Sequence, residues 1–142
     1  MHKGLIAKTS ITIHAPRAQV WQALVTPAAI QHYMFGTQVA SDWREGSPIT
    51  WSGEWQGQAY QDKGQVLQFR PEHTLQYTHY SPLSGAPDLP DNYHTVTVEL
   101  MSQGDQTRVT LSQDNNATEE ERDHSAKNWE MVLAALKQYV EQ

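Results

Sequence analysis

The closing stretch TEEERDHSAKNWEMVLAALKQYVEQ, residues 118–142, decides the fold. Thr118 with Glu121 three places on forms a capping box, and Glu119, Glu120 and Glu121 put three acids where a helix dipole is positive. Trp129, Leu133, Leu136 and Val140 fall at i, i+4, i+7 and i+11, so they share one face. The spacing predicts a helix over 118–141, about 36 Å long at about 1.5 Å per residue, enough to cross a whole sheet.

The sequence before it supplies that sheet. Residues 5–13, LIAKTSITI, alternate Leu5, Ala7, Thr9, Ile11 and Ile13 with Ile6, Lys8, Ser10 and Thr12, the pattern of a half-buried strand. Pro16 suits a first helical position, and one short helix must stop at Thr26 before Pro27, which starts a second through about Tyr33. Strands are then predicted over 49–55, 59–69, 74–80, 93–102 and 106–113, each bounded by turn residues, with a tight turn at 103–105. Strands in meander order make an antiparallel sheet. The long irregular stretch SPLSGAPDLPDN, 81–92, is either a plain connector or a partly pre-organised lid. Asp88 and Asp91 within it are expected to form turns.

At 142 residues the chain has the length of one domain, 1–142, which buries roughly 68–70% of its unfolded surface. Apolar residues make up 38%, and a mean hydropathy of −0.66 reflects Gln, Thr and Ser more than charge. The net charge is −6, with ten Lys and Arg spread singly, which argues against nucleic acid as a partner. No apolar run of about 18 residues and no leader pattern is present, so a cytoplasmic protein without membrane association is expected. Without cysteine there is no thiolate nucleophile, disulfide or cysteine metal site. The seven His residues show no metal spacing, and no GxSxG elbow or phosphate-cradling loop occurs; neither metal nor cofactor is expected.

Four segments carry a resemblance: APRAQVWQALVTPAAIQHYM (15–34), GQVLQFRPEHTLQYTH (64–79), TVTVELMSQGDQTRVTLSQ (95–113) and NWEMVLAALKQYVE (128–141). Together they resemble the START-like (SRPBCC, Bet v 1-type) superfamily and, within it, the group homologous to the activator of the heat-shock-protein 90 ATPase. The chain departs from many relatives at His32 and Tyr33, where a Trp pair is common, and at Asn128, where a Gly is common. The resemblance implies an α+β helix-grip fold, a curved antiparallel sheet of about six or seven strands around the C-terminal helix, with a cavity between them.

Strand parity assigns the faces of that cavity. Trp51 and Trp55 share one side of their strand, Tyr77 and His79 one side of theirs, and His94, Val96 and Val98 do likewise, as do Leu111 and Gln113. Glu54 falls on the opposite, solvated face. With Trp129 and Leu133 these residues make a mostly apolar lining with a few polar points, the composition of a small-molecule pocket. The expected ligand-binding set is Trp51, Trp55, Tyr77, His79, His94, Val96, Val98, Leu111, Trp129 and Leu133, with Tyr77 and His79 orienting a polar group of an apolar or aromatic ligand. Leu136 and Val140 are expected to close the core beyond it. The alternatives are a cyclase- or hydrolase-like enzyme with His79 or His94 as general base, which needs two or more convergent polar groups, and a cochaperone-like interaction domain. A monomer or homodimer fits each.

Overall fold

The computed structural model describes residues 4–142, except the side chain of Trp55. Its elements run β1 (Leu5–Ile13), α1 (Arg17–Val25), α2 (Pro27–Tyr33), β2 (Gln38–Ser41), β3 (Pro48–Trp55), β4 (Gln58–Arg70), β5 (Thr74–His79), β6 (His94–Gln103), β7 (Gln106–Asn116) and α3 (Glu119–Val140). The seven strands form one antiparallel sheet in the order β1-β7-β6-β5-β4-β3-β2. β6 and β7 are joined by Gly104 and Asp105, with Gly104 at φ +65°, the left-handed backbone that a two-residue hairpin favours. β2, which sequence periodicity missed, has four residues and one buried side chain, Val39, too little for an alternation to register.

The sheet curves around α3. Leu133, Leu136 and Val140 are buried there with Ile13, Val98, Val109 and Leu111 of the inner strand faces. Thr118 caps α3 by accepting the Glu121 N–H at 3.1 Å, while the Glu121 carboxylate accepts from the Ala117 N–H at 2.8 Å. The return bond of the capping box therefore reaches one residue further back than the usual pattern. Pro16 stands just before α1, as its N-cap, rather than as its first residue.

The far end of α3 is tied to β1 by polar bonds. Lys137 Nζ donates to the Thr12 carbonyl at 2.9 Å and to Glu141 Oε2 at 2.6 Å, and the His14 N–H donates to the same carboxylate at 2.7 Å. The Lys137 bond first, then that of His14, hold the Glu141 carboxyl below the usual glutamate range. A depressed carboxyl stabilises the fold above its unfolded pKa and loses that contribution as pH falls through its folded value. Glu141→Gln is thus expected to lower the melting temperature at neutral pH, and the gap from wild type should close in acid. Thermal melts across pH check this; a constant offset at every pH would contradict it.

The 81–92 segment folds onto the outer face of the sheet, away from α3. Two of its three prolines, Pro82 and Pro90, each begin a single 3-10 turn, Pro82–Ser84 and Pro90–Asn92. Tyr80 and Tyr93 stack at 5.2 Å at its base, and Tyr80 Oη donates to the Ala86 carbonyl at 2.6 Å. Asp88 pairs with Lys63 and accepts from Tyr93 Oη at 2.6 Å, so it anchors the segment as well as shaping a turn. The Asp91 carbonyl accepts from Asn115 Nδ2 at 2.7 Å. The connector alternative describes this segment and the lid does not.

Candidate functional site

Parity along β3, β4 and β5 places the polar side chains of the inner face. Trp51 stands opposite Asp62 in the β3–β4 register, and Gly53 stands opposite Tyr60. A Cβ on Gly53 would come within 2.6 Å of Tyr60 Oη, so the missing side chain lets the Tyr60 ring lie across β3. Tyr60 Oη and Thr37 Oγ1, just before β2, share a hydrogen bond of 2.9 Å. On β5, His79 lies edge-on to Trp51 at 5.1 Å, with Tyr77 beside the same indole at 5.1 Å.

His79 Nε2 lies 2.9 Å from Asp62 Oδ2. A carboxylate only accepts, so Nε2 carries the proton, and in the neutral imidazole Nδ1 is left as an acceptor. Asp62 Oδ1 is fully buried and has no hydrogen-bond partner among the described residues. An unpaired buried carboxylate oxygen costs on the order of 1–3 kcal/mol, and such costs collect at sites where function rather than stability sets the arrangement.

A second network fixes the opposite wall. Trp129 Nε1 donates to Gln113 Oε1 at 2.7 Å, and Gln113 Nε2 donates to Ser125 Oγ at 3.3 Å and Asn116 Oδ1 at 3.4 Å. Asn116, 1% exposed, also accepts from Ser125 Oγ at 3.1 Å and donates to the carbonyls of Leu5 and Gln113. With every member satisfied, the network holds Trp129 in one orientation on α3.

Between the walls lies a funnel in three parts. The innermost is an apolar void of about 40 Å³ lined by residues that include Trp51, Tyr77, Val98, Leu111, Trp129 and Leu133. Above it a vestibule of about 150 Å³ is bordered by Thr37, Tyr60, Asp62, His79 and Gln113. A mouth of about 370 Å³, edged by Phe35, Ser125 and Asn128, opens to solvent. Met34 and Trp129 border all three, so the parts adjoin one another. Phe35, 67% exposed and at φ +57°, stands at the rim in a conformation costly for a bulky residue. Burial pushes the phenols of Tyr33 and Tyr77 well above their ordinary pKa, which keeps both neutral.

Seven of the ten residues expected from sequence line this funnel: Trp51, Tyr77, His79, Val98, Leu111, Trp129 and Leu133. Val96 is buried on the inner face but borders none of the three parts, and His94 is set back from them. His94 Nδ1 donates to the Asp114 carbonyl at 2.8 Å, and its ring stacks behind His79 at 6.5 Å. The side chain of Trp55 lies outside the described residues. Asp62, Tyr60, Thr37, Met34 and Gln113 were not in the expected set. Leu136 lines the void and Val140 does not, so the division along α3 falls a turn later than expected. A wider concavity of about 500 Å³ between α1, α2 and the end of α3 is a surface groove whose only ionisable side chain is Tyr139.

Among the described residues no three His, Asp or Glu side chains converge as a metal site, and no helix is long and apolar enough to cross a membrane. A curved sheet gripping a long C-terminal helix over an inner funnel defines a START-like helix-grip domain. The chain belongs to the family of Activator of Hsp90 ATPase homolog 1-like proteins, whose model matches residues 14–141. It is similar to ChR145 from Cytophaga hutchinsonii, at 53% identity over 99% of this chain and 97% of that one, with a TM-score of 0.87. It shares its fold with the Aha1 dimer from Colwellia psychrerythraea, at 20% identity, 96% of both chains and a TM-score of 0.74. The same holds for CalU16 from Micromonospora echinospora, at 20% identity, 98% of this chain, 85% of that one and a TM-score of 0.74. No curated protein matches the sequence.

Proposed function

We propose that this domain binds a small, largely apolar or aromatic molecule in the funnel between its sheet and α3, acting in the cytoplasm as a monomer or homodimer. The observation that carries the proposal is the apolar void set directly beneath a polar vestibule, an apolar end for a ligand's body and a polar end for its head. START-like domains as a fold family commonly bind hydrophobic ligands, which supports it. The void alone is below the size of a typical ligand site, so the body would seat through the void and vestibule together, with the flexible Met34 side chain giving way.

Titrating isotope-labelled protein with naphthalene tests this. The indole N–H signals of Trp51 and Trp129 are expected to shift, while that of Trp21, packed on Phe69 away from the funnel, should not. Trp51→Leu should weaken binding by up to about tenfold, the worth of one aromatic contact. Saturating naphthalene with no shift at either indole would sink the proposal.

The His79–Asp62 pair supports a second reading, general-base catalysis through Nδ1. It predicts that a bound molecule is converted rather than retained, and that mass spectrometry finds the product with wild type and not with His79→Gln. Unchanged recovery of every bound molecule would leave binding alone.

A further inference from the structure

We infer that the site selects ligands by the sign and hydrogen-bonding sense of their head group: it takes apolar molecules with a donor head, a hydroxyl or an amine, and rejects carboxylates and phosphates, with Asp62 as the determinant. The inference rests on the binding proposal and adds the ligand's polar chemistry.

Charge is the first support. Of the side chains that border void, vestibule and mouth, none is Lys or Arg, and Asp62 is the one carboxylate. Its side chain is 16% exposed, so solvent screens it weakly. With His79 neutral the pair carries one negative charge, and with His79 protonated it carries none. In neither state is the site positive, so an anionic head meets repulsion or no compensation for leaving water.

The disposition of donors points the same way. Both N–H groups of Gln113 are engaged by Asn116 and Ser125, and the Trp129 N–H by Gln113. Thr37 and Tyr60 share one hydroxyl proton between them, which leaves a single O–H at that corner. Beyond that one O–H, what remains unsatisfied around the vestibule is acceptor capacity: Nδ1 of neutral His79 and the Asp62 carboxylate, whose buried Oδ1 has no donor among the described residues. A hydroxyl or amine head supplies what these groups lack. A site built to bond a donor discriminates strongly against a head without one, because its buried acceptors then stay unpaired.

The test uses probes with one body and different heads: 2-naphthol, 2-naphthylmethylamine and 2-naphthoate, with naphthalene as reference, titrated at neutral pH and followed at the Trp51 and Trp129 indole signals. The naphthol and the amine are expected to bind at least about tenfold more tightly than the naphthoate. Asp62→Asn, which keeps the size and removes the charge, should bring the naphthoate to within about threefold of the naphthol. Intermolecular NOEs in the wild type, independent of any variant's folding, should place the substituted ring edge at His79 and the far edge at Leu133. Naphthoate binding as tightly as naphthol, an unchanged gap in Asp62→Asn, or a reversed orientation overturns the inference while naphthalene binding leaves the binder reading intact. Binding by none of the four, naphthalene included, overturns both.

Discussion

Gly64→Ala is expected to destabilise the domain by about 4 kcal/mol or more, at the extreme of single substitutions. A Cβ at Gly64 would lie 1.7 Å from the Thr78 carbonyl oxygen and 2.6 Å from its carbon. Both are backbone atoms, so no rotamer relieves the overlap and β4 must move off β5. That movement strains the reciprocal Lys63–Tyr80 bonds of 3.0 and 2.8 Å on one side and the Val66–Tyr77 pairing on the other. It also parts Asp62 from His79, since one side chain lies on each strand. With a total stability of roughly 5–15 kcal/mol for a domain, the variant should melt about 10 °C or more below wild type or fail to give a dispersed amide spectrum. A melting temperature within about 2 °C of wild type would show that the two strands part freely at this crossing.

The same crossing explains which half of the site could be read from sequence. Trp51, Tyr77, Val98 and Leu111 sit on strands where apolar and polar residues alternate, and Leu133 sits in a helical stripe; parity and the 3.6 period put them on the inner faces where the structure has them. Asp62 and Tyr60 lie in QAYQDKG at the start of β4, which is polar on both faces, so no period marks which side turns inward. The signal available there was indirect: Val66 is fully buried, and Asp62 lies four residues before it on the same face. Gln113 was on the correct face, but its role depends on Trp129, sixteen residues away on another element.

Parity also held the answer for the 81–92 segment. If His79 faces inward, Tyr80 faces outward, and a segment that begins on Tyr80 starts on the outer face, where stacking with Tyr93 keeps it. His94 shows the reverse limit. Its side of β6 was correctly assigned, yet the Asp114 carbonyl engages its ring, a tertiary contact that pattern does not reveal.

Leu133→Ala and Trp129→Ala should separate the two duties of the α3 stripe. Leu133 is 2% exposed and part of the buried core where it walls the void, so its truncation is expected to cost about 2–5 kcal/mol, the transfer term plus a cavity term. Trp129 is half-buried and borders the void, the vestibule and the mouth, so its truncation should cost less than the roughly 3–5 kcal/mol of a close-packed Trp. The space vacated by Leu133 merges with the existing void of about 40 Å³, whose walls are apolar and hold no charge. Such a cavity stays dry and accepts a small aromatic molecule. Benzene at about a hundred times its dissociation constant would restore about 2.7 kcal/mol, so it should raise the melting temperature of Leu133→Ala far more than that of wild type. If Trp129→Ala proved the costlier change, or benzene left Leu133→Ala untouched, Trp129 would be core, Leu133 would not wall the void, and the funnel would end at the vestibule.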